Sequence, residues 1–160
     1  MLISAAAGGV GVLASQLAVR TGATVIGTAS PANHEFLRSL GVTPVAHGDG
    51  MVERLREAAP RGYTAVLDNH GPDTIEAALE LGVPIERINT IATYGPADRG
   101  ASHIGGAQAN SDDLLHVAEL LASGELQLPI SEIYPLERAA EAYEQLEEGH
   151  VRGKIVLVTD

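Results

Sequence analysis

Apolar and polar positions along the chain follow two alternating rhythms. Short apolar, β-rich runs recur at Met1-Leu2-Ile3, Ala23–Thr28, Val42–Val45, Tyr63–Asp68 and Glu86–Ala92. Between them lie stretches of helical composition at Val12–Arg20, Ala32–Leu40, Met51–Ala59 and Thr74–Leu81. In Met51–Ala59 the apolar Val52, Leu55 and Ala59 fall on one side, as an amphipathic helix requires. Gly22, Gly41 and Gly82 stand where helix C-caps belong, Pro60-Arg61-Gly62 breaks the third helix, and Asp73 is expected to cap the fourth. Strands alternating with helices at this spacing imply βαβ crossovers, hence an α/β fold with a doubly wound parallel sheet.

The rhythm changes after Ala92. Thr93–Ser111 is rich in Gly, Ala, Ser, Asn and Pro and shows little periodicity. An unstructured loop of that length is uncommon unless it is functional or mobile. Ser111-Asp112-Asp113 is then expected to cap a helix over Leu114–Ala122, stopped by Ser123-Gly124. Leu126–Tyr134 reads as extended, Pro135-Leu136-Glu137 opens a last helix that runs to Gly149, and Gly153–Val158 reads as a final strand.

Composition narrows the chemistry. The 160 residues are 45% hydrophobic and 19% charged, which suits one globular domain with a real core. Aromatic residues make up 3%, with no Trp, so the core is built from Ala, Val, Leu and Ile, and aromatic stacking platforms are not expected. Ten basic residues against 21 acidic ones leave a net charge of −11, which makes nucleic acid a poor partner. No apolar run approaches the roughly 20 residues of a membrane span, so no membrane partner is expected. The apolar start lacks a basic leader and is interrupted by Gly8, Gly9 and Gly11, unlike a signal peptide. With no Cys there are no disulfides or thiolate sites, which fits a cytoplasmic protein.

The stretch with clear chemistry is Ser4-Ala5-Ala6-Ala7-Gly8-Gly9-Val10-Gly11, between the first strand and the first helix. The dinucleotide fingerprint G-x-G-x-x-G falls here on Ala6, Gly8 and Gly11. Gly8 would let the backbone approach a pyrophosphate, Gly11 would let the helix pack close to the strand, and Ala6 departs from the first glycine. With this turn the sheet reads as Rossmann-type, carrying a C-terminal helix–strand extension. The alternative reading is a glycine-rich bend without a ligand.

The end of the second strand, Gly27-Thr28-Ala29-Ser30-Pro31-Ala32-Asn33-His34, has no acid before Glu35. An acid there binds the ribose hydroxyls of NAD and repels a 2′-phosphate. Ser30, Asn33 and His34 all carry donors for an anion, so the segment favours NADP (NADPH). The alternatives are that Ser30 is only a helix cap and His34 only a solvated side chain. No Arg or Lys stands in the loop itself.

Other chemistries find less support. No Tyr is followed four residues on by Lys, Gly149–Lys154 does not make a P-loop, and the six His show no paired ligand spacing, so no metal site is expected. His47 with Asp49 reads as a turn. His103 lies in the long loop, where mobility is the plain reading. Asp68-Asn69-His70, at a strand end, reads either as an acid–base group or as strand-terminating polar residues near ribose.

Ala5-Ala6-Ala7-Gly8-Gly9-Val10-Gly11 with Gln16-Leu17-Ala18, Val25–Ser30 with Leu40-Gly41, Ala65–Asp68 with Gly71, Leu120–Gly124, Tyr134-Pro135-Leu136 and Arg152–Leu157 together resemble the zinc-independent medium-chain dehydrogenases/reductases, the quinone oxidoreductase-like group. The resemblance implies that Ala7, Gly8, Gly9, Val10 and Gly11 surround the pyrophosphate. It sets Ser30 and Asn33 toward the 2′-phosphate, with Ala32 and His34 where relatives carry a basic residue. It sets Asn69, Ile91 and Ala92 along the ribose and nicotinamide. No catalytic side chain is identified.

Members of the group begin with a mostly β catalytic domain, whereas this chain starts at the first cofactor-binding strand. The resemblance therefore implies a dinucleotide-binding domain over residues 1–125 and a C-terminal segment over 126–160 that packs on a catalytic domain in relatives. As part of an enzyme it would serve hydride transfer between nicotinamide and a quinone, enone or related carbonyl substrate. A second copy or a separate catalytic domain or subunit is the expected partner, met by Tyr134, Leu136, Ile155 and Leu157. A homodimer would use Thr93–Ser111 or the C-terminal strand. The second reading is a catalytically inert nucleotide-binding or subunit-interaction module.

Overall fold

Two residues, Leu2–Ile3, form strand β1 and stand at the centre of a five-stranded parallel sheet ordered β3-β2-β1-β4-β5. β1 pairs with β2 (Ile26–Ala29) on one side and β4 (Val66–Asp68) on the other. β3 (Thr43–Ala46) and β5 (Ile88–Thr90) complete the edges. The computed structural model describes residues 1–159.

Successive strand residues point to opposite faces, so β1 seeds two cores. Leu2 joins Ile26, Leu55, Val66, Ile75 and Ile88 on one face, beneath α3 (Met51–Ala58) and α4 (Pro72–Glu80). Ile3 joins Ala6, Val12, Val25, Leu37 and Val42 on the other, beneath α1 (Gly11–Arg20) and α2 (His34–Ser39). Leu2 and Ile3 are 1% and 0% exposed, so each contributes roughly 1.5–3 kcal/mol of burial. The α/β class and the parallel, doubly wound order are as the alternating rhythm predicts.

Element edges differ from the sequence reading where local chemistry decides them. α4 starts at Pro72 and follows Gly71, so Asp73 lies inside the first turn rather than capping it. Pro is favoured at the first helical position because its missing N–H has no partner to lose there. α5 (Ser111–Ala122) is capped by Asn110, one residue before the expected Ser, and its side chain accepts from the Asp113 N–H at 2.8 Å.

The long segment after β5 is ordered along the sheet edge. Ser102 donates its N–H to Ile88 and accepts from Thr90, both at 2.9 Å, which satisfies exposed edge groups of β5. Asn89 holds Ile104 through both its side-chain oxygen and nitrogen. His103 pairs with Asp98 at 2.9 Å and lies stacked against Tyr94.

The C-terminal segment makes its own two-stranded parallel sheet from β6 (Ile130–Pro135) and β7 (Lys154–Val158), joined through α6 (Ala139–Glu148). It is tied to α1 by Gln16, whose side-chain nitrogen donates to the Gln127 carbonyl and whose oxygen accepts the Gln127 N–H, both at 2.8 Å. Ile130, Ile133, Leu136, Leu157 and Val158 are exposed on this segment.

Asp68 closes the sheet at the ends of β1, β4 and β5. Its carboxylate is 1% exposed. It accepts from Thr90 (2.7 Å), Ser4 (3.0 Å) and Thr93 (3.1 Å) hydroxyls and from the His70 and Gly71 N–H groups at 3.0 Å. Burial pushes this carboxyl up, but the hydrogen bonds from Thr90, Gly71, His70 and Ser4 together outweigh it and hold it below its ordinary value. A carboxylate lowered on folding contributes stability that is complete above the unfolded value and is lost as pH falls through the folded one. Asp68→Asn is therefore expected to lose about 2–3 kcal/mol in urea unfolding at neutral pH. The loss relative to the native chain should shrink in unfolding curves taken at successively lower pH, as pH falls from the ordinary carboxylate range through the lowered native value of Asp68.

Candidate functional site

Strand order reverses between β1 and β4, and a crevice opens outside their carboxyl ends. The turn Ser4–Gly11 forms one wall. Its strained residue is Ala5, at φ +45°, and not Ala6. Ala6 is fully buried, donates to the Thr28 carbonyl at 2.9 Å and packs where Gly27 has no side chain. A Cβ on Gly27 would come within 2.6 Å of the Ala6 Cβ. The position where the fingerprint has its first glycine thus tolerates Ala because the sheet neighbour is the glycine instead.

A Cβ on Gly11 would overlap the Ala5 carbonyl oxygen, so α1 can sit this close to β1 only with glycine there. α1 starts without a side-chain cap and without an acid in its first turn. Among the described residues, the N–H groups of Gly9, Val10 and Gly11 have no backbone acceptor. An uncapped helix start with free N–H groups is a ready anion site.

The C-terminal segment closes over this turn, a contact the sequence reading missed. Gly153 donates its N–H to the Ala7 carbonyl at 2.8 Å and bridges Gly8 in parallel. The chain's single lysine, Lys154, is thereby laid over Gly9, so that a Cβ there would stand 2.7 Å from Nζ. Lys154, Gly8, Gly9, Val10, Asn69 and Ile91 line one cleft of about 310 Å³. Ala92 stands exposed just past Ile91, its N–H held by the Thr90 hydroxyl at 3.1 Å.

A second cavity, about 260 Å³, opens at the end of β2 between Ala7, Gly8, Ser30, Asn33, His47 and His150. Ser30 meets the His150 Nδ1 at 3.1 Å. Asn33 is buried, and its oxygen accepts from the Arg152 Nε at 2.7 Å. Arg152 also donates to the Ala32 carbonyl at 3.2 Å and lies over the Phe36 ring at 4.9 Å. The cation absent from the loop sequence is thus brought to it from about 120 residues downstream. His34 turns back to the Ala29 carbonyl at 3.2 Å and lines neither of these cavities.

The third strand-end motif divides. Asp68 is used up by its five donors and has no free lone pair for acid–base work. Asn69 anchors to Ser4 and faces the Lys154 cleft, and His70 lines the β2-end cavity near His47. His47 and His70 ring centres are 6.2 Å apart, as are those of His47 and His150. Burial, and then the charges of His70, His150 and Arg54, hold His47 below the ordinary imidazole value. Among the described residues no three His, Asp or Glu side chains converge as metal ligands, and no helix is long and apolar enough to cross a membrane.

Comparison with known proteins places this geometry. A family model described as zinc-binding dehydrogenase matches residues 40–157. The chain is 34% identical to erythronolide synthase EryA2 of Saccharopolyspora erythraea, over 98% of this chain and 5% of that one. It is 30% identical to a probable mitochondrial zinc-binding oxidoreductase of Arthroderma benhamiae, over 97% of this chain and 50% of that one. Among solved structures, the quinone oxidoreductase from Coxiella burnetii superposes with a TM-score of 0.75 at 32% identity, over 98% of this chain and 51% of that one. The chain thus spans about half the length of these two oxidoreductases.

The turn geometry makes opposite demands on two neighbouring small residues. Ala5→Gly relieves a left-handed Ala and is expected to stabilise the chain by about 0.5–1 kcal/mol. Gly11→Ala is expected to destabilise by about 2 kcal/mol or more through the clash with the Ala5 carbonyl. Thermal melts of the two variants against the native chain measure both signs.

Proposed function

The chain belongs to the zinc-binding dehydrogenase family of medium-chain dehydrogenases/reductases, and from that premise we propose that it is the NADP(H)-binding part of an oxidoreductase acting on a quinone, enone or related carbonyl compound. The observation that carries the reading is the uncapped, acid-free start of α1 beneath the lysine of β7. Free N–H groups, a helix dipole and one ammonium converge there on a space that suits a pyrophosphate.

In this reading the N–H groups of Gly9, Val10 and Gly11, with Lys154, hold the pyrophosphate. Ala7 and Gly8 let it approach the backbone. Asn69, Ile91 and Ala92 face the ribose and nicotinamide. Ser30 and Arg152 take the 2′-phosphate, with Asn33 fixing the guanidinium rather than touching the ligand itself. The groove between Ser30, Ala32, Asn33, Ile130 and Arg152 has no carboxylate in its lining, which supports NADP over NAD. When bound, the nicotinamide supplies the hydride, and the chain supplies position and electrostatics. The described residues do not fit a zinc ion, so no zinc-dependent step is assigned to them.

The exposed Ile130, Ile133, Leu157 and Val158 favour a companion reading, in which this segment docks on a catalytic domain or a second copy. The two readings differ in what the chain does alone. NADPH consumption with a quinone by the purified chain supports a self-sufficient reductase. Binding of NADPH without consumption supports a module that needs its partner.

NADPH fluorescence titration tests the cofactor assignment. Lys154→Ala is expected to weaken NADPH and NADH alike by about tenfold, and Arg152→Ala to weaken NADPH alone by a similar factor. A folded chain that ignores millimolar NADPH, or prefers NADH, overturns the assignment.

A further inference from the structure

Half of the chain's six histidines converge on one cavity. His47 follows β3, His70 follows β4 and His150 precedes β7, so three separate elements bring them together. His150 occupies a particular place among them. It lines both the β2-end cavity and the adjoining groove of about 680 Å³ that holds Arg152, and Ser30 and Asn33 are shared by the same two spaces.

The charges around this cluster are segregated. Asp49 before α3, Glu53 in its first turn, and Asp73, Glu76 and Glu80 from α4 line a groove that His47 and His70 also line. Arg54 is spent on the carbonyls of Ala46, His47, Gly48 and Asp49. Glu148, in the last turn of α6, lines the cavity on the His150 side. The Arg152 groove has no carboxylate lining it, so an anion entering there meets Arg152, Ser30 and His150.

The Ser30–His150 contact has two states. A neutral imidazole with an unprotonated Nδ1 accepts a hydrogen bond from the Ser30 hydroxyl. An imidazolium donates from Nδ1 instead, which turns Ser30 into the acceptor and releases its O–H to donate elsewhere. The His47 ring stands 6.2 Å from those of His70 and His150, and burial first, then their charges, hold it below the ordinary imidazole value. A phosphate dianion beside this pair favours the second state, because it rewards both the imidazolium and the freed hydroxyl.

Resting on the NADP reading above, we propose that His150, bonded to Ser30 and backed by His47, reads the 2′-phosphate as an imidazolium. Nucleotides that carry the 2′-phosphate then bind with uptake of a proton, and those that lack it do not.

Isothermal titration of the full chain with 2′,5′-ADP and with 5′-AMP tests this, in buffers of different ionisation enthalpy at pH 7.5. At that pH a phosphate monoester, with its second ionisation near 6, is already largely the dianion and takes little part in the proton count. The expected result is a fraction of a proton taken up with 2′,5′-ADP beyond that with 5′-AMP. The preference for 2′,5′-ADP should grow about threefold to tenfold between pH 8.5 and 6.5. His150→Asn, which suits the φ of +65° at this position, should abolish the extra uptake and flatten the preference while keeping 5′-AMP affinity. A preference for 2′,5′-ADP that is flat with pH and takes up no extra proton overturns the proposal and leaves the NADP assignment standing. Failure of both nucleotides to bind overturns the two together.

Discussion

The edge of the sheet where the crevice opens depends on one buried carboxylate. Asp68 stands at the end of β4 and binds the hydroxyl of Ser4 after β1 and those of Thr90 and Thr93 at and beyond the end of β5. Those three strands meet at the reversal of strand order, where the crevice opens. β1 is two residues long and cannot position a loop by its ladder alone. The Ser4–Asp68 bond supplies the missing constraint, because the glycine turn begins at the next residue. The same carboxylate fixes the backbone of His70 and Gly71, and so the direction in which Asn69 and His70 leave the strand.

From this anchor the site is assembled by bringing charge in from a distance. The chain carries −11, and nothing in the turn or in the β2-end loop is cationic. Arg152 and Lys154 arrive on the stretch that leads into β7 and closes over Ala7, and Gln16 fastens the approach to its partner strand β6 through Gln127. The two cations are two residues apart on opposite sides of Gly153 and reach different parts of the crevice. Lys154 lies over the start of α1, and Arg152 lies over the β2-end loop. One short segment therefore sets the electrostatics of both.

The alternating rhythm made the class, the parallel order and the glycine turn legible, because each is written locally: Gly8 and Gly11 at fixed offsets, strands of β-rich residues, glycines at helix ends. What was not legible is what depends on distant contact. Nothing near Ala6 announces that Gly27 across the sheet makes room for it. Nothing in Thr28–His34 announces that its cation is residue 152. Asp68 could be read as an acid–base group or as a strand terminator, and only the five donors around it decide between them. The loop after β5 looked unstructured because its order comes from pairing with an edge strand rather than from periodicity. Arg152 and Lys154 left one local signal, a Gly flanked by two cations at the start of a strand, which helical and strand patterns do not weigh.

That glycine is where the two cations and the small C-terminal sheet meet. Gly153 sits at φ +71°, and a Cβ there would overlap the Pro129 carbonyl oxygen, to which Lys154 also donates its N–H at 2.9 Å. A side chain at this position would have to push β7 away from the segment that leads into β6. The displacement would carry Lys154 off the turn and Arg152 off Asn33 together, and it would loosen the exposed apolar strands of the same small sheet. The placement of the two cations and the presented apolar surface are thus held by one close backbone approach. In the proposed reading, a change in how β6 and β7 dock would therefore change how the turn and the β2-end loop hold phosphate, because the same residue sets both.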